Sequence, residues 1–145
     1  MSFVFSLGSV LRVRGMLEEQ EERLLQKILF EISQTVENLA RTDAEIAGSD
    51  ASRREDIFKP FVGYNLHAAY GEVKQLKQSR KELEEQISKL EQLRDRQLIA
   101  YEGARRNREM LTDMHSEQRS VYDSDAARRE QKTLDDNYIA RRGRF

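Results

Sequence analysis

Val73-Lys-Gln-Leu-Lys-Gln-Ser-Arg-Lys-Glu-Leu-Glu-Glu-Gln-Ile-Ser-Lys-Leu90 decides the fold of this chain of 145 residues. Val73, Leu76, Leu83, Ile87 and Leu90 occupy a and d positions of one heptad register, which runs on through Tyr101, Ala104 and Leu111. Residues so spaced lie along one stripe of a helix, and that stripe is stable only when another helix covers it. No proline interrupts the 75 residues from His67 to Arg141. A continuous helix of that length extends roughly 110 Å at 1.5 Å per residue, more than a globular core built from this chain can enclose.

The covering helix lies upstream. Leu7, Val10, Leu11, Leu17, Leu24, Leu25, Ile28, Ile32, Leu39 and Ile46 recur at three- and four-residue steps. Ser6 is a candidate N-cap, with Phe5 placed to pack on Val10 as a hydrophobic staple. Gly48 suits a left-handed C-terminal cap, where the absence of Cβ removes the steric cost. Between the two patterns, Pro60 and Gly63 break helical continuity. Ser49 or Asp50 is placed to cap a short turn through Phe58, and Asn65 to cap the second long helix.

The expectation is an all-α protein: two long helices forming an antiparallel coiled-coil hairpin, the second helix longer. Residues 1–145 make a single domain, with helix one at about 6–47, a bend at 48–65 and helix two at about 66–141. A short connection makes consecutive helices pack antiparallel. The unequal lengths then leave a C-terminal overhang. Several seam positions are polar (Arg80, Arg94, Gln97, Arg108, His115 and Gln118). Conformational entropy cancels most of what such a seam contributes, so the hairpin is expected to be only marginally stable by itself.

Composition agrees with this architecture. Charged residues make up 35% of the chain and there is one proline and no tryptophan, a profile typical of coiled coils. The net charge of −1 arises from 25 basic and 26 acidic residues, interspersed along the chain. That balance argues against nucleic acid as a partner, which calls for a basic face. Cysteine is absent, which removes disulfides and thiolate sites and fits a reducing cytoplasm. The apolar start is too short and lacks the leading basic residues of a signal peptide, and no run reaches the length of a membrane span. A cytoplasmic protein is expected.

Nothing in the chain reads as catalytic. There is no phosphate-binding glycine loop and no nucleophile with a nearby base. His67 and His115 stand far apart on helix two and cannot share a metal within one chain, so no catalytic, cofactor or metal residue is assigned and no small-molecule substrate is expected. Carboxylate pairs such as Glu84-Glu85 and Asp135-Asp136 face water on a thin helical hairpin. Phe58, Phe61, Tyr64 and Tyr70 cluster at the bend, either capping the hairpin's end or offering an aromatic anchor to a partner. Met110 and Met114 read equally as packing or as an adaptable contact surface. The last twenty residues carry six basic and three acidic groups.

Two strings have a more specific likeness. Arg129-Glu-Gln-Lys-Thr-Leu-Asp-Asp136 and Phe3-Val-Phe-Ser-Leu-Gly-Ser-Val-Leu-Arg-Val-Arg14, with the overall length, resemble the FliJ family of flagellar type III export proteins. The likeness spans nearly the whole chain, although the heptads between the strings are generic. It implies a two-helix stalk similar to the central shaft of rotary ATPases. Such a stalk sits in the pore of the hexameric flagellar export ATPase and promotes its assembly and activity. It also links the ring to the export gate membrane protein and to export chaperones, in the service of flagellum biogenesis and motility. The resemblance places the protein in the cytoplasm, peripheral to the inner face of the cell membrane at the flagellar base. It assigns Gln131, Lys132, Leu134 and Asp135 to the end that engages the ring or chaperones, and it matches Leu76 to a gate contact. Helix one lacks the tyrosines that the family uses at the gate. The stalk of a virulence-type III secretion system and a generic homo-oligomeric coiled-coil adaptor share this architecture.

Overall fold

The computed structural model describes residues 2–56 and 63–143. Among them there are two helices and no strand: α1 (Gly8–Asp56, 49 residues) and α2 (Gly63–Arg142, 80 residues). They pack against each other as a hairpin with the second helix longer, the architecture that the two periodic stripes demand. No helix among the described residues is long and apolar enough to cross a membrane. The chain divides into two compact units. One joins the residues up to Glu21 with those from Tyr101 onward, and the other spans Glu22–Ala100.

The Glu22–Ala100 unit holds the driest part of the seam. Ile46, Val73 and Leu90 are 7%, 5% and 7% exposed, and Thr35 is buried with them at 5%. A threonine is tolerated there because its hydroxyl donates to the carbonyl of Glu31 one turn back, at 2.8 Å, leaving no unpaired polar atom. Arg80, a polar seam position, finds Asp43 across the interface at 3.7 Å. The Arg53 guanidinium lies 4.9 Å from the centre of the Tyr70 ring. Residues 43 and 53 thus meet residues 80 and 70, the descending pairing of antiparallel helices.

Helix boundaries differ from the sequence expectation at both ends of α1. The helix does not stop at residue 47 but continues through Gly48 to Asp56. No described residue has positive φ, so Gly48 is not a left-handed cap. The cost of an internal glycine, about 1 kcal/mol relative to alanine, is small beside the packing that resumes after it. Ser49 and Arg53 return to the half-buried side, and Arg53 pairs with Asp50 one turn back. Ser49 and Asp50 are therefore helix interior. Asn65 lies inside α2, which begins at Gly63, and does not cap it. Residues 57–62, among them Phe58, Pro60 and Phe61, lie outside the described residues.

At its other end α1 starts at Gly8, after a turn closed by Gly8 N–H donating to the Phe5 carbonyl at 3.1 Å. Phe5 does not act as a staple on Val10, which remains 40% exposed. Its ring packs instead on α2, against His115.

The other unit contains a second polar seam pair. Arg108 donates to Glu18 through Nε at 2.6 Å and Nη2 at 3.2 Å, a bidentate contact between α2 and α1. The bond from Arg108, more than the smaller opposing effect of burial, holds the Glu18 carboxyl below its ordinary pKa. A depressed carboxylate pKa stabilises the fold at pH values above the unfolded pKa, and this contribution is lost as the pH falls through the folded one. Glu18→Gln is accordingly expected to lower the urea midpoint at about pH 7, and its difference from the parent is expected to close as the pH falls through the folded pKa of Glu18. A midpoint difference that does not change with pH is the contrary result.

Candidate partner-binding surface

Among the described residues, no helix covers the C-terminal end of α2. Every residue from 127 to 143 is exposed, and α1, which begins at Gly8, does not extend alongside this stretch. Leu134, Tyr138 and Ile139 are 58%, 64% and 65% exposed, high values for side chains of that size. Basic residues Arg141 and Arg142 occupy the last turn, where they complement the helix dipole.

The four residues that the C-terminal string singles out all lie here, but not on one face. At about 100° per residue, Lys132 and Leu134 point to nearly opposite sides of the helix, with Gln131 and Asp135 between them. Gln131 Nε2 donates to Asp135 Oδ1 one turn on, at 3.1 Å. Leu134 and Tyr138 form one apolar patch. Ile139 sits about 140° round from Leu134 and in line with Val121, which is 61% exposed. The apolar groups of this end therefore fall on two lines about 140° apart rather than in a single stripe. Leu76, the fifth residue, is half-buried in the Glu22–Ala100 unit beside Gly48, Ser49, Ser52 and Ala69, and is not part of this surface.

Immediately before the bare end, the structure adds residues that the periodicity did not single out. Residues 2–5 take no regular secondary structure and Ser6 and Leu7 form a turn. This strap lies along α2. Phe3 contacts His115 and Tyr122, both at 5.4 Å between ring centres, and Phe5 contacts His115 at 4.9 Å in an edge-on arrangement. Arg119 lies over the Phe3 ring at 5.1 Å. Edge-to-face and cation–π contacts of this kind add modestly to the area they bury. The signal in the sequence is indirect: in the register set by Glu18 and Arg108, Tyr122 is a seam position beyond the start of α1 at Gly8, and Phe3 and Phe5 are the aromatics available to cover it together with His115.

Among the described residues, no group of three or more His, Asp or Glu side chains is arranged to hold a metal ion. His115 is taken up by the two phenylalanine rings, and His67 is exposed in the other unit. No family profile, curated protein or solved structure matches the chain.

Proposed function

We propose that this protein is a flagellar export stalk. In this reading it binds and stimulates the hexameric flagellar export ATPase, and links that ring to the export gate and to export chaperones. It does no chemistry of its own. The observation that carries the reading is the bare end of α2, where Leu134 and Tyr138 project one way and Ile139 another, about 140° round the helix. A partner that docks on one side can cover only one stripe of a helix. A ring that surrounds the helix covers all of them, and a pore lined by several subunits is such a partner. The terminal strings that resemble the FliJ family supply the identity of the ring. The even charge balance along the chain supports a protein partner over nucleic acid.

In this role the protein works in the cytoplasm, at the inner face of the membrane beneath the flagellum. The test is the rate of ATP hydrolysis by the cognate export ATPase with and without the full chain, with ring formation followed in the same samples. The expected result is faster hydrolysis together with more hexamer. A demonstrably helical sample that neither binds nor stimulates the ATPase overturns the proposal. Stable self-association in place of binding favours a homo-oligomeric coiled-coil adaptor.

A further inference from the structure

The strap and the bare end of α2 adjoin each other. At the start of α1 the strap takes over the cover of the seam, lying on His115 and reaching as far as Tyr122; among the described residues nothing covers α2 beyond Ala126. The strap covers it with little holding power. Its backbone is neither helix nor strand, and no backbone–backbone hydrogen bond ties described residues 2–7 to α2. Phe3 and Phe5 are only half-buried, and Val4 between them is 80% exposed. Alongside the strap runs an open groove lined by Phe3, Val4, Gln118, Val121, Tyr122 and Asp125. Val121 belongs to the same helical stripe as Ile139, so a partner following that stripe from the bare end meets the strap next.

We propose that Ser2–Leu7 is a detachable placeholder. It shields the last seam positions of α2 in the free protein and gives way when a partner segment advances along α2 from the bare end. The partner segment is an apolar-faced helix or loop of the ring subunit, and in that respect the inference rests on the function proposed above. The strap thereby opposes binding: engagement has to displace two phenylalanine rings, and weakening them favours the bound state. Segments held by few buried contacts open independently of the rest of a protein, which is the behaviour that the strap requires.

The experiment uses the full chain, labelled for NMR and hydrogen exchange, as parent, Phe3→Ser and Phe3→Ser/Phe5→Ser. In the free protein, the ring signals of His115 are expected to lose the shifts imposed by Phe3 and Phe5. Exchange at residues 115–125 is expected to quicken roughly tenfold in the double variant, while residues 73–90 keep their protection. With the export ATPase added to the parent, His115 should show the same loss of ring shifts as residues 127–142 become protected. The double variant should bind the ATPase several-fold more tightly. Weaker binding by the double variant, or strap contacts that persist in the complex, overturns the placeholder and makes the strap part of the docking surface. If the parent binds no ATPase, the functional reading has failed and the strap is judged by exchange alone. Opening at 115–125 that occurs only with global unfolding then overturns it.

Discussion

Leu90→Ala is expected to lower the unfolding free energy by about 2–3 kcal/mol, toward the lower end of the range for a leucine removed from a packed interior. Among the described residues, Leu90 is one of three large apolar side chains with exposure of 7% or less, beside Val73 and Ile46. A hairpin of two helices has no second layer to close over a lost side chain. Truncation there removes apolar burial and leaves a gap that flanking Glu and Lys residues cannot fill. The loss is a sizeable part of the total stability of a small domain, which is commonly about 5–15 kcal/mol. Urea unfolding followed by far-ultraviolet circular dichroism measures it. Ile99→Ala is the control, because Ile99 is 71% exposed and its removal should change stability by less than about 0.5 kcal/mol. Equal effects of the two substitutions contradict the assigned seam.

The second large effect concerns the partner. Leu134→Asp and Ile139→Asp are each expected to weaken binding to the export ATPase by about 2 kcal/mol, roughly thirtyfold in Kd. Both side chains are well exposed, so neither substitution should move the unfolding midpoint appreciably. The pair is chosen because the two residues face directions about 140° apart. Enclosure by a ring predicts that both matter. A partner docking on one side predicts that one is silent, and that result removes the structural support for a pore. Titration of the ATPase with parent and variants, read by binding and by hydrolysis rate, separates the outcomes.

The seam was legible in the sequence because burial imposes its period on the residues that share it. Val73, Leu76, Leu83, Ile87 and Leu90 give the register without further information. The bare end also followed, from the unequal lengths of the two patterns. The boundaries did not. Gly48 has the chemistry of a cap, but its cost inside a helix is smaller than the packing of Ser49 and Arg53 that lies beyond it, and local preference lost to tertiary contact. The strap was misread for a related reason. Phe5 and Val10 have the spacing of a staple, whereas the ring of Phe5 lies on His115, more than a hundred positions away in the chain. Contacts of that kind leave no periodic trace. The polar seam residues read as defects because each was considered alone, and two of them prove to have acidic partners on the other helix, Arg80 with Asp43 and Arg108 with Glu18.

The Glu18–Arg108 contact fixes more than a local geometry. Coiled-coil seams repeat every seven residues, so a generic hairpin can slide by one repeat with little loss of apolar contact. Here a slide of α1 by one heptad in either direction sets Arg108 against Leu11 or Leu25, and Glu18 against Tyr101 or His115. Both charges then lose their partner while remaining partly shielded from water, which disfavours the slipped states. The alignment so chosen determines how many residues of α2 run free past the start of α1. One ion pair in the seam therefore acts as a gauge, setting the reach of the end that a partner has to grasp.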